Sequence, residues 1–197
     1  MTRAKKFISA FPPIKSYLHG RTTFRKIVGV AVVLAAVAFT GAPAYADVTE
    51  KDIQIMGRVL GFIQNGPEGE VRLGIVYNPD SSASKQTAQS IADMMGSGKK
   101  AGKVTFTPVV ISSSEVSSSG ATVVLVLDGV NITKVVSAVS GKGIVTIGQS
   151  RDCLDNKSCV IVVESAPRVE IMVSRFASDA TGVSFASAFR AMIKEFE

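Results

Sequence analysis

This chain has little histidine and no tryptophan: one His and no Trp in 197 residues. The single His19 lies near the N-terminus, so residues 47–197 hold none. That excludes the ordinary Ser-His and Cys-His nucleophile pairs, and any His-based metal site, over most of the chain. Cysteine is scarce as well, with Cys153 and Cys159 alone. Carboxylates are missing from residues 1–46, which carry Arg3, Lys5, Lys6, Lys15, Arg21, Arg25 and Lys26. All 16 Asp and Glu fall after Ala46, so the formal net charge of +6 is +7 from the N-terminal segment and −1 from the rest. Long apolar runs are lacking too: Ile27–Phe39 falls short of the roughly 20 residues that cross a bilayer.

What is present at the N-terminus has a consistent order. A basic stretch precedes the apolar run, and Thr40-Gly41-Ala42-Pro43 leads to Ala44-Tyr45-Ala46. Basic region, short apolar core and an Ala-x-Ala end make a secretory signal peptide over residues 1–46. A high pI would otherwise point to nucleic acid. Here the charge leaves with the signal, so no nucleic-acid partner and no stable membrane insertion after cleavage are expected. The mature domain, residues 47–197, is expected to be exported to the periplasm. In an oxidising compartment Cys153 and Cys159 read as a disulfide, with two free thiols as the alternative. On the loop-entropy account so small a ring is worth about 2 kcal/mol.

Residues 47–197 alternate between helical and strand patterns. Thr49-Glu50-Lys51-Asp52 is a capping-box-like start, and Ile53, Met56, Leu60 and Ile63 mark one helical face. Val71–Tyr77 and Val104–Ile111 read as strands, separated by a helix whose face carries Thr87, Ile91, Met94 and Met95. Ser112–Ser119 is a serine-rich loop with one helical turn around Glu115. Ala121–Leu127 is continuously apolar, the mark of a central strand covered on both faces. Asn131 caps a helix presenting Ile132, Val135, Val136 and Val139, and Ile144–Ile147 is the next strand. Cys159–Glu164 and Arg168–Val173 form a hairpin, and a closing helix starts at Ser184 with Phe185, Phe189, Met192, Ile193 and Phe196 on one face. The expected fold class is α/β: a single three-layer domain with a mostly parallel sheet covered by helices, a C-terminal hairpin and a closing helix.

Motifs for chemistry are nearly absent. Gly141, Gly143 and Gly148 flank a strand instead of opening a helix after one, so they are no dinucleotide fingerprint. Asp152, Asp155 and Asn156 lack the loop length and glycine of a calcium loop. No catalytic residue, metal or cofactor is expected. One region can bind a small molecule, because ligands of open α/β sheets sit beyond the carboxyl ends of the strands. Those ends carry Asn78, Ser81 and Ser82, then Asp128, then Gln149, Ser150 and Arg151. Helix amides at Ser82 and Asn131 would receive an anionic group, with Arg151 supplying charge. Ordinary turn and cap chemistry accounts for the same residue types.

The stretch Gly143-Ile144-Val145-Thr146-Ile147-Gly148 leads into the cysteine-bounded loop. Cys159–Val163 follows, then Arg168–Ala177, Gly182–Phe185 and Ala188–Ile193. With the opening helix and the strand ending at Asp128, this succession resembles the YfiR-like family of periplasmic proteins from about Asp52 to Glu197. Ser174 stands where that family often has Asn, and there is one cysteine pair where some members have two. The resemblance implies regulation without catalysis. The protein would bind the periplasmic part of a membrane sensor with diguanylate cyclase output and hold it inactive, and a homodimer is compatible with it. The alternative comes from Leu73–Ser82, which looks like the start of one lobe of a transporter's periplasmic solute-binding protein.

Overall fold

Thr49 opens the first helix in the way its sequence requires. The Asp52 N–H donates to Thr49 Oγ1 at 3.3 Å and the Thr49 N–H to Asp52 Oδ2 at 2.8 Å, a reciprocal capping box. The computed structural model describes residues 48–197, which fall in one compact unit. The expected signal peptide and its cleavage after Ala46 lie outside the described residues. Among the described residues no helix is long and apolar enough to cross a membrane.

The elements in chain order are α1 (Glu50–Leu60), β1 (Gly69–Tyr77), α2 (Ser82–Met95), β2 (Lys99–Ala101), β3 (Val104–Ser112), β4 (Val123–Val126) and α3 (Ile132–Val139). They continue with β5 (Val145–Gly148), α4 (Asp152–Asp155), β6 (Ile161–Glu164), β7 (Glu170–Ser174), α5 (Arg175–Thr181), α6 (Ser187–Arg190) and β8 (Lys194–Phe196). One eight-stranded sheet runs β2-β3-β1-β4-β5-β6-β7-β8. β3, β1, β4, β5 and β6 are mutually parallel, while β2 on β3 and β7 on β6 are antiparallel. The α/β class is therefore observed, with helices on both faces.

The chain moves outward from β1 through α2 to β3, then returns to β4 on the other side of β1 and proceeds through α3 to β5. The two crossovers travel in opposite directions, so right-handed connection puts α2 and α3 on opposite faces. The cores agree. Ile53, Met56 and Leu60 of α1 and Ile91 of α2 join Leu73, Leu125 and Ile147 in one cluster. Val135 and Val139 of α3 pack with Val76, Val124 and Val126 in another. All four residues of β4 are buried, as its continuous apolarity requires. Gly57 lets α1 lie directly on β2, since a Cβ there would be 2.3 Å from that of Ala101.

The C-terminal end departs from the expected closing helix. Phe185 and Phe189 are buried as foreseen, but Phe185 is extended and bridges Ile63. Gln64 N–H donates to the Ser184 carbonyl at 2.8 Å and Ala186 N–H to that of Phe62 at 2.9 Å, and these bonds hold the chain straight where a helix was expected to begin. Only the single turn of α6 follows. Met192 is 70% exposed, and the chain ends as β8, parallel to Met172–Ser174 of β7. The short β2 and the helix α5 were also not foreseen. Ser174, where the resembling family often has Asn, caps α5 by accepting the Ala177 N–H at 3.2 Å.

Candidate functional site

β1 and β4 are neighbours whose outgoing connections diverge, so a crevice opens beyond their carboxyl ends. Asn78, at the end of β1, accepts the Asp80 N–H on its side-chain Oδ1 at 3.0 Å, a local Asx turn. Its own N–H donates to Ser84 Oγ at 3.0 Å, and Ser81 Oγ accepts the Ser84 N–H at 3.2 Å as the N-cap of α2. Across the crevice, the Asp128 N–H donates to Gln149 Oε1 at 3.3 Å, and Asp128 Oδ1 accepts the Ser150 hydroxyl at 2.7 Å.

Asn78, Ser81, Asp128 and Gln149 of the sequence-expected site thus line one pocket, joined by Ser84, Thr87 and Gly129. Ser150 reaches it through Asp128. Ser82 is exposed and does not line it. Arg151 does not supply the expected charge: its guanidinium lies over the Phe196 ring, 5.0 Å from the centroid. Asn131 is not in the pocket either, its Oδ1 accepting the Lys134 N–H at 3.3 Å as the cap of α3. The charge lining the pocket is the Asp128 carboxylate, which opposes the anionic ligand expected from sequence. The volume is about 60 Å³, room for a few waters. Pockets that enclose a metabolite run to roughly 300–1,000 Å³.

The disulfide is present. Cys153 and Cys159 are bonded with a Cα–Cα distance of 5.4 Å, and the loop they close begins inside α4. The serine-rich segment also takes the expected turn, where Glu115 accepts the Ser112 N–H at 2.7 Å and its hydroxyl at 2.6 Å. These bonds, the hydroxyl's first, lower the Glu115 pKa. Among the described residues no three His, Cys, Asp or Glu side chains gather where they could hold a metal ion.

A larger feature was not foreseen. Between α1 and β7 runs a groove of about 510 Å³ with an almost wholly apolar lining. Ile55 and Val59 of α1 and Phe62 in the turn after it face Val169 and Ile171 of the β7 arm, with Lys51 and Arg58 along the helix side. Phe62 is 41% and Val169 48% exposed, and the Phe62 ring stacks on buried Phe189 with centroids 4.5 Å apart. The signal was available in the sequence: Ile55, Val59 and Phe62 recur at i, i+4 and i+7 beside the core stripe Ile53–Met56–Leu60. Ile55 and Val59 are themselves buried in the core, so the exposed apolar surface of the groove is mainly that of Phe62 and Val169.

No family model matches the chain, and no curated protein matches it. Among solved structures, a conserved domain protein from Vibrio cholerae O1 biovar El Tor is similar at 12% identity and a TM-score of 0.47. The match covers 75% of this chain and 59% of that one, a likeness too slight to place the chain in a family.

Proposed function

We propose that the protein is an exported, non-catalytic regulator that acts by docking on another protein. The α1–β7 groove carries this reading: about 510 Å³, apolar, and rimmed by half-exposed Phe62 and Val169. An apolar groove flanked by exposed Phe62 and Val169 offers a seat for a partner's apolar segment. The resemblance to the YfiR-like family gives the partner: the periplasmic part of a membrane diguanylate cyclase, held in its inactive arrangement. Such a regulator works through its difference in affinity for the cyclase's two states. The disulfide between Cys153 and Cys159 fits an oxidising compartment.

The test is cellular cyclic-di-GMP in a deletion strain, with and without the exported protein restored. A rise on deletion that the restored protein reverses is the expected result. An unchanged level, with the protein demonstrably expressed, overturns the cyclase reading.

A second reading has its own observation. Asn78, Ser81, Asp128 and Gln149 converge at the topological switch point, where α/β sheets bind small ligands. The pocket there is about 60 Å³ and would hold only a fragment of a solute, which favours the docking reading. A ligand screen by melting temperature on the whole exported domain tests it.

A further inference from the structure

The groove has a charge pattern as well as an apolar floor, and the two together describe its occupant. Both charged residues that line it are cations, Lys51 and Arg58. The Lys51 ammonium donates to the Ser165 carbonyl at 2.9 Å, and the Arg58 guanidinium has no ion pair among the described residues. The neighbouring carboxylates are engaged elsewhere, Glu50 with Lys99 at 3.1 Å and Glu170 with Arg168 at 2.6 Å. Its walls are side chains of α1 and of the β7 arm, where Glu170 and Ile171 already pair with Glu164 and Val163 of β6. A trough walled by side chains along a helix suits a second helix laid in it. From Lys51 to Val59 the wall runs along α1 for about 12 Å, and Phe62 in the turn after the helix closes its end.

We infer that this groove receives an amphipathic helix of the partner protein, its apolar stripe on Ile171 and Phe62 and its flanking Asp or Glu residues against Lys51 and Arg58. The inference rests on the docking reading above and names the chemistry of the partner's segment. A second copy of this chain is disfavoured, because an isologous contact would bring the two cationic rims together. A lipid surface shares the charge preference, but Ile55 and Ile171 lie below the rim residues Phe62 and Val169, where a flat surface does not reach.

The experiment places the photocrosslinker p-benzoylphenylalanine at position 169 of the full exported protein in cells, with position 90 on exposed α2 as control. Adducts are mapped by mass spectrometry. The expected adduct at 169, absent at 90, is a single protein segment with apolar residues at i, i+3/i+4 and i+7 bordered by Asp or Glu. Arg58→Glu should lower its yield about tenfold, and changing the facing acidic residue to Lys should restore it. A crosslink to a second copy overturns the inference. So does flotation with phosphatidylglycerol vesicles in place of a peptide adduct, a segment lacking acidic flanks, or no adduct at all.

Cyclic-di-GMP separates this inference from the reading beneath it. If the wild-type protein controls the nucleotide and Arg58→Glu, melting normally, does so equally, the groove assignment fails and the regulator stands. If the acidic helix is captured while the wild type leaves the nucleotide unchanged, the groove stands and the cyclase assignment fails.

Discussion

Gly148 and Cys159 are in direct contact: a Cβ placed on Gly148 would lie 2.9 Å from Cys159 Sγ and 2.7 Å from Cys153 Cβ. The last residue of β5 must therefore lack a side chain for the disulfide to lie against the strand. Gly148→Ala should destabilise the protein by about 1–3 kcal/mol through overpacking, read from urea denaturation. Gly98→Ala is the control, since its Cβ would meet nothing nearer than Thr105 Cγ2 at 3.4 Å. Equal midpoints for the two variants would show that the disulfide loop gives way freely.

The capping box at Thr49 predicts a graded response. Thr49→Ala removes the acceptor for the Asp52 N–H and should cost about 1 kcal/mol, while Thr49→Ser should retain most of it. Because α1 forms one wall of the groove, amide hydrogen exchange in its first turn should rise in the Ala variant before exchange in β4 does.

Glu195 carries the clearest pH signature. Hydrogen bonds from Arg190 at 2.5 Å and Arg175 at 2.9 Å hold its carboxyl down at about 2 from an ordinary 4.5. A carboxylate whose folded pKa is depressed stabilises the fold above its unfolded value and loses that contribution as pH falls through the folded one. Stability should therefore drop between about 4.5 and 2, and Glu195→Gln should flatten that part of the wild-type curve. The Glu115 pKa is lowered as well, by its bonds from Ser112, so the quantity to follow is the difference between wild type and variant in melting temperature. Parallel curves would mean that the arginines do not hold the β8 strand.

These contacts show which parts of the fold local sequence specifies. Val123–Val126 is apolar without interruption, and it is the fully buried β4. The cap at Thr49 and the Cys153–Cys159 bond are short-range patterns, and both were legible. The C-terminal end was not, because Phe185 and Phe189 keep helical spacing while Phe185 takes its backbone conformation from the distant bridge to Ile63. Lys99–Ala101 has no strand pattern of its own and becomes β2 by pairing with Val104–Phe106. At the switch point, the positions of Asn78 and Asp128 followed from strand ends. Arg151 did not, since the ring that draws its guanidinium away belongs to Phe196. The groove pairs two segments more than 100 residues apart, Ile55–Phe62 and Val169–Ile171, and only the α1 half could be seen in sequence.

The bond between Ser150 and Asp128 provides the test of whether the switch-point pocket is architecture or a site. Asp128 Oδ1 accepts the Ser150 hydroxyl at 2.7 Å across 22 residues of sequence, tying the loop after β5 to the end of β4. A hydrogen bond to a charged group contributes roughly 1.5–3 kcal/mol, and its partner is half-buried. Ser150→Ala and Asp128→Ala should each destabilise, and the double variant should lose less than the sum, a coupling of about 0.5–3 kcal/mol. Denaturation midpoints of the four proteins close this cycle. Additive losses would mean that the two side chains do not support each other. Asp128 would then be a carboxylate presented to the crevice, and the small-ligand reading would gain ground against the docking one.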